Sequence, residues 1–204
     1  MQGIVGRGDV WTWIAIDADA KLVPSWLVGE RDAGYAKVFI TDLAGRLRNR
    51  VQLTSDGLKL YLQAVEDSFG SKIDYAMLVK TYGPAYGDQQ ERRYSAGECR
   101  GAIKGTICGN PDEGHISTSF VERQNLSLRM GNRRFTRLTN GFSKKVANHE
   151  HALAIYYMHY NFGRIHKSLR VTPVMEAKSY RSRLGPGRDC EAGGLIPRKS
   201  QKQF

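Results

Sequence analysis

Two runs of aromatic and β-branched residues, VWTWIAID over 10–17 and KLVPSWLV over 21–28, stand three residues apart near the start of the chain. So short a spacer leaves two extended segments only antiparallel pairing as a hairpin, because a parallel return needs a crossover of about a dozen residues or more. Pro24 withholds a backbone donor, which predicts an edge or irregular position for the second run.

Helical spacing follows. Asp32 is a plausible N-cap for a helix from Ala33 to about Arg48, with Tyr35, Val38, Phe39, Leu43 and Leu47 recurring on one face and Asn49 ending it. RVQLT (50–54) predicts a short buried strand that stops at Ser55-Asp56-Gly57, and LKLYLQAVEDSF (58–69) a helix closed by Gly70. DYAMLVKTY (74–82) predicts another strand. From Gly83 to Thr118 glycine, proline and charge are interspersed, and so long an irregular stretch reads as an insertion over a site. Ser119 opens a helix to about Leu138, Asn148 another to about Tyr160, and Thr172-Pro173 forms the cap and first position of a third. This order predicts one mixed α/β domain over 10–183 with a central sheet flanked by helices. A short extension (1–9) precedes it, and the tail (184–204) is expected to be disordered.

The formal net charge is +11, and Phe120 to Arg183 holds thirteen Lys/Arg against Glu122, Glu150 and Glu176, an excess of ten. Basic surfaces bind nucleic acid by releasing counterions from phosphates, so the C-terminal half is the expected DNA-binding part. Arg123, Arg129, Arg133, Arg134 and Arg137 fall on one predicted helix and its end, followed by Lys144 and Lys145. Arg164, His166, Lys167 and Arg170 follow in a loop, with Tyr160, Phe162 and Leu169 as packing residues. A solvated basic helix face is the alternative reading.

Cys99, Cys108 and Cys190 are odd in number and lack a C-x-x-C pair, which argues for a reducing, cytoplasmic setting. A zinc site from Cys99, Cys108 and His115 fits no common finger spacing. His149-Glu150-His151 lacks the H-E-x-x-H spacing of zinc proteases. No apolar run is long enough for a bilayer, so no membrane partner is expected.

Three carboxylates stand where a sheet-and-helix domain can gather them: Asp17 ending one strand, Asp56 following another, and Glu122 in a first helical turn. Each also has a plain reading. Asp17 could be a surface strand-end acid, Asp56-Gly57 turn chemistry, and Glu122 the partner of Ser119 in an S-x-x-E capping box.

Around these positions the chain resembles the bacterial insertion-sequence transposases of the DDE class, whose core is an RNase H-like fold shared with retroviral integrases. The matching stretches are GDVWTWIAIDADAKLVPSWLVGERDA (8–33), RVQLTSDGLKLY (50–61), ISTSFVERQNLSLRMGNRRFTRLTNGFSKK (116–145) and YNFGRIHKSLRVTPVMEA (160–177). The resemblance implies Asp17, Asp56 and Glu122 as three acids holding two magnesium ions, which manganese can replace. Asp19, on the same face of an extended strand, is the alternative first acid. It also implies a basic residue seven positions after the glutamate, which is Arg129, two helical turns on and on the same face. The second and third acids are 66 residues apart, wider than in compact integrase cores, and the insertion at about 83–118 accounts for the excess. The implied activity is nicking of double-stranded DNA at element ends and strand transfer into target DNA, by a homo-oligomer. The competing expectation is a truncated, non-catalytic DNA-binding remnant, since such transposases carry an N-terminal recognition region.

Overall fold

The computed structural model describes residues 10–83, 99–135, 140–141 and 143–177, together with the backbone of 201–203. The hairpin forms as the sequence predicts. β1 (Trp11–Asp17) pairs antiparallel with β2 (Ser25–Gly29), Trp11 opposite Gly29 and Ala15 opposite Ser25. β2 is the outermost strand, and it starts one residue after Pro24, so the proline costs no ladder bond.

α1 (Ala33–Arg46) starts where Asp32 accepts a hydrogen bond from the Tyr35 amide at 2.8 Å. β3 (Gln52–Asp56) runs parallel to β4 (Asp74–Tyr82), joined through α2 (Leu60–Phe69). That helix ends at Gly70, whose φ of 53° suits a residue without Cβ. Arg50 pairs with Asp74 at 2.6 Å and fixes the entry of β3 beside that of β4.

β5 (Cys99–Cys108) overturns part of the expected insertion, because it is a ten-residue strand antiparallel to β4. Its residues, CRGAIKGTIC, are mostly exposed, and Ile103 and Ile107 are its only large apolar side chains, so it carries little of the apolar alternation by which strands are recognised. The regular backbone of β4 supplies its pairing instead. Residues 84–98 lie outside the described part. The tail expectation changes too, since Gln201–Gln203 form a short strand, β6. The rest of the expected tail lies outside the described residues. The sheet order is β2-β1-β6-β3-β4-β5, a mixed block of β3, β4 and β5 joined to the hairpin through β6.

Helices cover both faces, as the pleat requires when successive side chains alternate. Trp13 and Ala15 of β1, Leu53 of β3, and Tyr75 and Met77 of β4 meet Phe39, Ile40 and Leu43 of α1 and Ala64 and Val65 of α2. Ile14 and Ile16 face the other way, onto Val121 and Leu128 of α3 (Ser119–Gly131) and Leu153 and Tyr157 of α4 (Val146–Met158). The first helix after the 83–118 stretch is therefore shorter than predicted, and a 3-10 turn (Arg133–Phe135) follows it. α4 continues into a π-helical turn (His159–Gly163). Thr172 caps the one-turn α5 (Pro173–Glu176) by accepting from the Met175 amide at 3.3 Å. The architecture is mixed α/β, and among the described residues no helix is long and apolar enough to cross a membrane.

Candidate active site

β3 ends at the surface with Asp56, whose Oδ1 accepts from the Leu58 amide at 3.1 Å and shapes the turn into α2. Glu122 reaches the same end of the sheet from a different direction. The chain leaves β5 and returns along the sheet, tied down where Gln52 exchanges two hydrogen bonds with the backbone of Asp112, at 3.0 and 2.8 Å. Ile116 then packs on Ala76 and Leu78 of β4. Thr118 becomes the N-cap of α3, one residue earlier than the capping-box pattern places it. The Thr118 hydroxyl donates to Glu122 Oε1 at 2.8 Å, and Lys80 Nζ donates to the same oxygen at 2.5 Å.

Asp56 and Glu122 consequently line one depression with Arg31, Leu58 and Thr118. It has two lobes. One, of about 210 Å³, runs along Trp11 to Ile14 of β1 and reaches Tyr61. The other, of about 600 Å³, runs along Val79, Lys80 and Tyr82 of β4 and reaches Lys59. Three cations thus stand around two carboxylates. Glu122 holds the Lys80 ammonium above its usual pKa, chiefly by accepting its hydrogen bond, so Lys80 stays charged. Burial drives the Tyr61 hydroxyl upward as well, keeping it neutral beside Asp56.

Asp17 does not join them. β6 runs antiparallel to β1 and parallel to β3, so β1 and β3 point in opposite directions across it. Asp17 and Leu53 share the rung of Lys202, which puts the C-terminal end of β1 beside the N-terminal end of β3. At ordinary strand spacing and rise, Asp17 is then roughly 14 Å from Asp56. Its parity along β1 also gives it the face of Trp13 and Ala15, opposite that of Asp56. Asp17 is 5% exposed, and its Oδ1 accepts from the amides of Asp19 and Ala20 at 2.9 and 3.2 Å. It shapes the turn between β1 and β2. Asp19 is exposed in the same turn, at the same end of the sheet. The residue of β1 level with Asp56 is instead Ile14, in the middle of the strand, which lines the smaller lobe together with Trp11.

The described residues contain no group of three His, Cys, Asp or Glu placed to hold one metal ion. The pair Asp56 and Glu122 does suit magnesium, a hard cation that is commonly held by one or two carboxylates, several waters and substrate phosphate. The three-acid arrangement of Asp17, Asp56 and Glu122 is not assembled. The zinc alternative fails on distance, because Cys99 and Cys108 end a ten-residue strand about 30 Å long.

The basic residues divide. Arg123 and Arg129 are exposed on α3, and Arg129 shares the side of Glu122 but lies about 10 Å further along the helix, outside both lobes. Arg133 and Arg134 are exposed in the following turn, where Arg134 donates to Ser143 at 2.8 Å. Lys144 and Lys145 are exposed ahead of α4, and Arg164, Lys167 and Arg170 beyond the π turn. His166 is half-buried, with Nδ1 3.0 Å from Ser168 Oγ. Arg137 lies outside the described residues. Sequence reasoning missed Arg31, Lys59 and Lys80, each a single cation with no motif to mark it. No family model matches the chain, and no curated protein or solved structure matches it.

Proposed function

We propose that the chain is the core of a DDE-type transposase that acts on DNA by metal-dependent phosphoryl transfer, with Asp56 and Glu122 as the acids that hold magnesium. The observation that carries this reading is the meeting of two carboxylates, 66 residues apart in sequence, in one open depression ringed by Arg31, Lys59 and Lys80. Magnesium bound there would polarise a phosphate oxygen and activate an attacking oxygen. The residues of the chain would do the rest. Arg31 and Lys59 attract a phosphate to the rim, Thr118 orients Glu122, and Lys80 compensates the charge of Glu122 in the absence of a cation. The basic surface of α3 and the turn after it would track the backbone of double-stranded DNA. The RNase H-like fold, the homo-oligomer and the two-ion form of the chemistry belong to the same proposal.

A second reading is favoured by the position of Asp17. A chain whose described residues bring only two acids together could bind DNA without cutting it. The deciding experiment is magnesium- or manganese-dependent nicking and strand transfer on labelled duplex DNA by the purified protein. Products that vanish in both Asp56→Asn and Glu122→Gln support the transposase reading. Salt-sensitive binding with no product in either metal leaves the DNA-binding reading.

A further inference from the structure

The larger lobe beside the two carboxylates carries chemistry that holding a metal ion does not use. It is lined by Leu78, Val79 and Tyr82 of β4 and by Arg31 and Lys59. Tyr82 is 58% exposed and Val79 43%, so the aromatic ring and the branched side chain present apolar surface to solvent. Lys80 and Tyr82 are two apart on β4, their backbone positions about 7 Å from each other, and both line this lobe, where the Lys80 ammonium holds Glu122. The β4–β5 register shifts between Thr81 and Tyr82, an irregularity of the kind that re-aims a side chain beside a site. Gly57 lets Val79 pack close against the turn after β3, because a Cβ there would stand 3.1 Å from Val79 Cγ2.

An aromatic face next to cations, in a lobe of about 600 Å³, matches the two halves of a nucleotide: a flat base that stacks and a phosphate that pairs with positive charge. A base inside a duplex has no free face to offer. We propose that this lobe binds an unpaired nucleotide adjoining the reacting phosphate, its base stacked on Tyr82 and its phosphate toward Arg31 and Lys59. This rests on the reading of Asp56 and Glu122 as the reacting centre, and it makes frayed or single-stranded ends, rather than closed duplex, the preferred ligand.

The test is a binding measurement that needs no cleavage. Fluorescence anisotropy would compare three labelled DNAs in calcium buffer: a blunt duplex, the same duplex with a three-nucleotide 3′ overhang, and one whose overhang is abasic. The base-bearing overhang should bind about fivefold or more tightly than the abasic one, the range that base-on-aromatic stacking gives. Tyr82→Ala should abolish that difference and Tyr82→Phe should keep it, while blunt-duplex binding stays the same in all three proteins. Equal affinity for the two overhangs, or an equal loss on every DNA in Tyr82→Ala, overturns the proposal. Asp56→Asn separates the two ideas. If it retains the overhang preference while neither it nor the parent protein cleaves DNA, the catalytic reading fails and the nucleotide site stands.

Discussion

Glu122 Oε1 accepts two hydrogen bonds, one from a hydroxyl on its own helix cap and one from an ammonium on the neighbouring strand. The capping box of its S-x-x-E context does not form, since the Ser119 amide donates to Ser117 and the Glu122 side chain accepts from the Thr118 hydroxyl instead, which fixes its position at the rim of the depression that Asp56 also lines. Asp56 is fixed in a similar way, its Oδ1 accepting from the Leu58 amide while the residue lines the same depression. Asp17 shows the limit of arguing from position along the chain. It ends a strand, as the motif requires, yet the direction of that strand relative to β3 depends on β6, whose three residues lie about 145 positions away from β3. No local signal encodes that direction. Asp17→Ala leaves the amides of Asp19 and Ala20 without their acceptor and should cost about 1–2 kcal/mol, read as a lower urea midpoint at unchanged slope. Any metal-dependent cleavage per folded molecule should be unaffected, and loss of cleavage with unchanged stability would return Asp17 to the site.

At the scale of elements, legibility follows burial. β1, β4 and α1 bury faces with clear periodicity and stand within two residues of their predicted bounds, whereas β5 exposes both faces and is visible only through its partner. The junction of α3 and α4 shows a different effect. There the ring of His149 sits 4.6 Å from that of Phe135, closing the turn between the helices. Burial lowers the pKa of His149, Arg134 lowers it further, and Glu150 only partly offsets them. A histidine held below its ordinary value binds fewer protons folded than unfolded. Its contribution to stability is complete above the unfolded pKa of about 6.5 and is lost as pH falls toward the lower folded value. His166 is shifted in the same direction, by burial first and then by Lys21 and Arg164. Urea midpoints between pH 7.5 and 5.5 should therefore fall on acidification in the parent protein. They should fall less in His149→Gln and least when His166→Gln is added. An unchanged slope in the double variant would assign the pH dependence elsewhere.

Over the whole molecule, charge and fold are arranged in opposition. The N-terminal 119 residues supply most of the sheet and are close to neutral, while the excess of ten positive charges follows from residue 120. The exposed cations Arg123, Arg129, Arg133, Arg134, Lys144 and Lys145 sit on α3 and the connection that leads to α4, so the basic surface begins on the helix that carries Glu122. This division was readable from sequence, because charge density needs no knowledge of strand direction. If that surface tracks a DNA backbone with six or more phosphate contacts, affinity for blunt duplex should drop by about a thousandfold or more between 50 and 200 mM salt. Each cation replaced should then reduce the slope of log affinity against log salt by about one contact. Arg123→Gln with Arg129→Gln is the informative pair, since both lie outside the two lobes and their loss should weaken every DNA equally. A slope unchanged in that pair would place the DNA on another face, and the carboxylates would then be served by a path that does not run along α3.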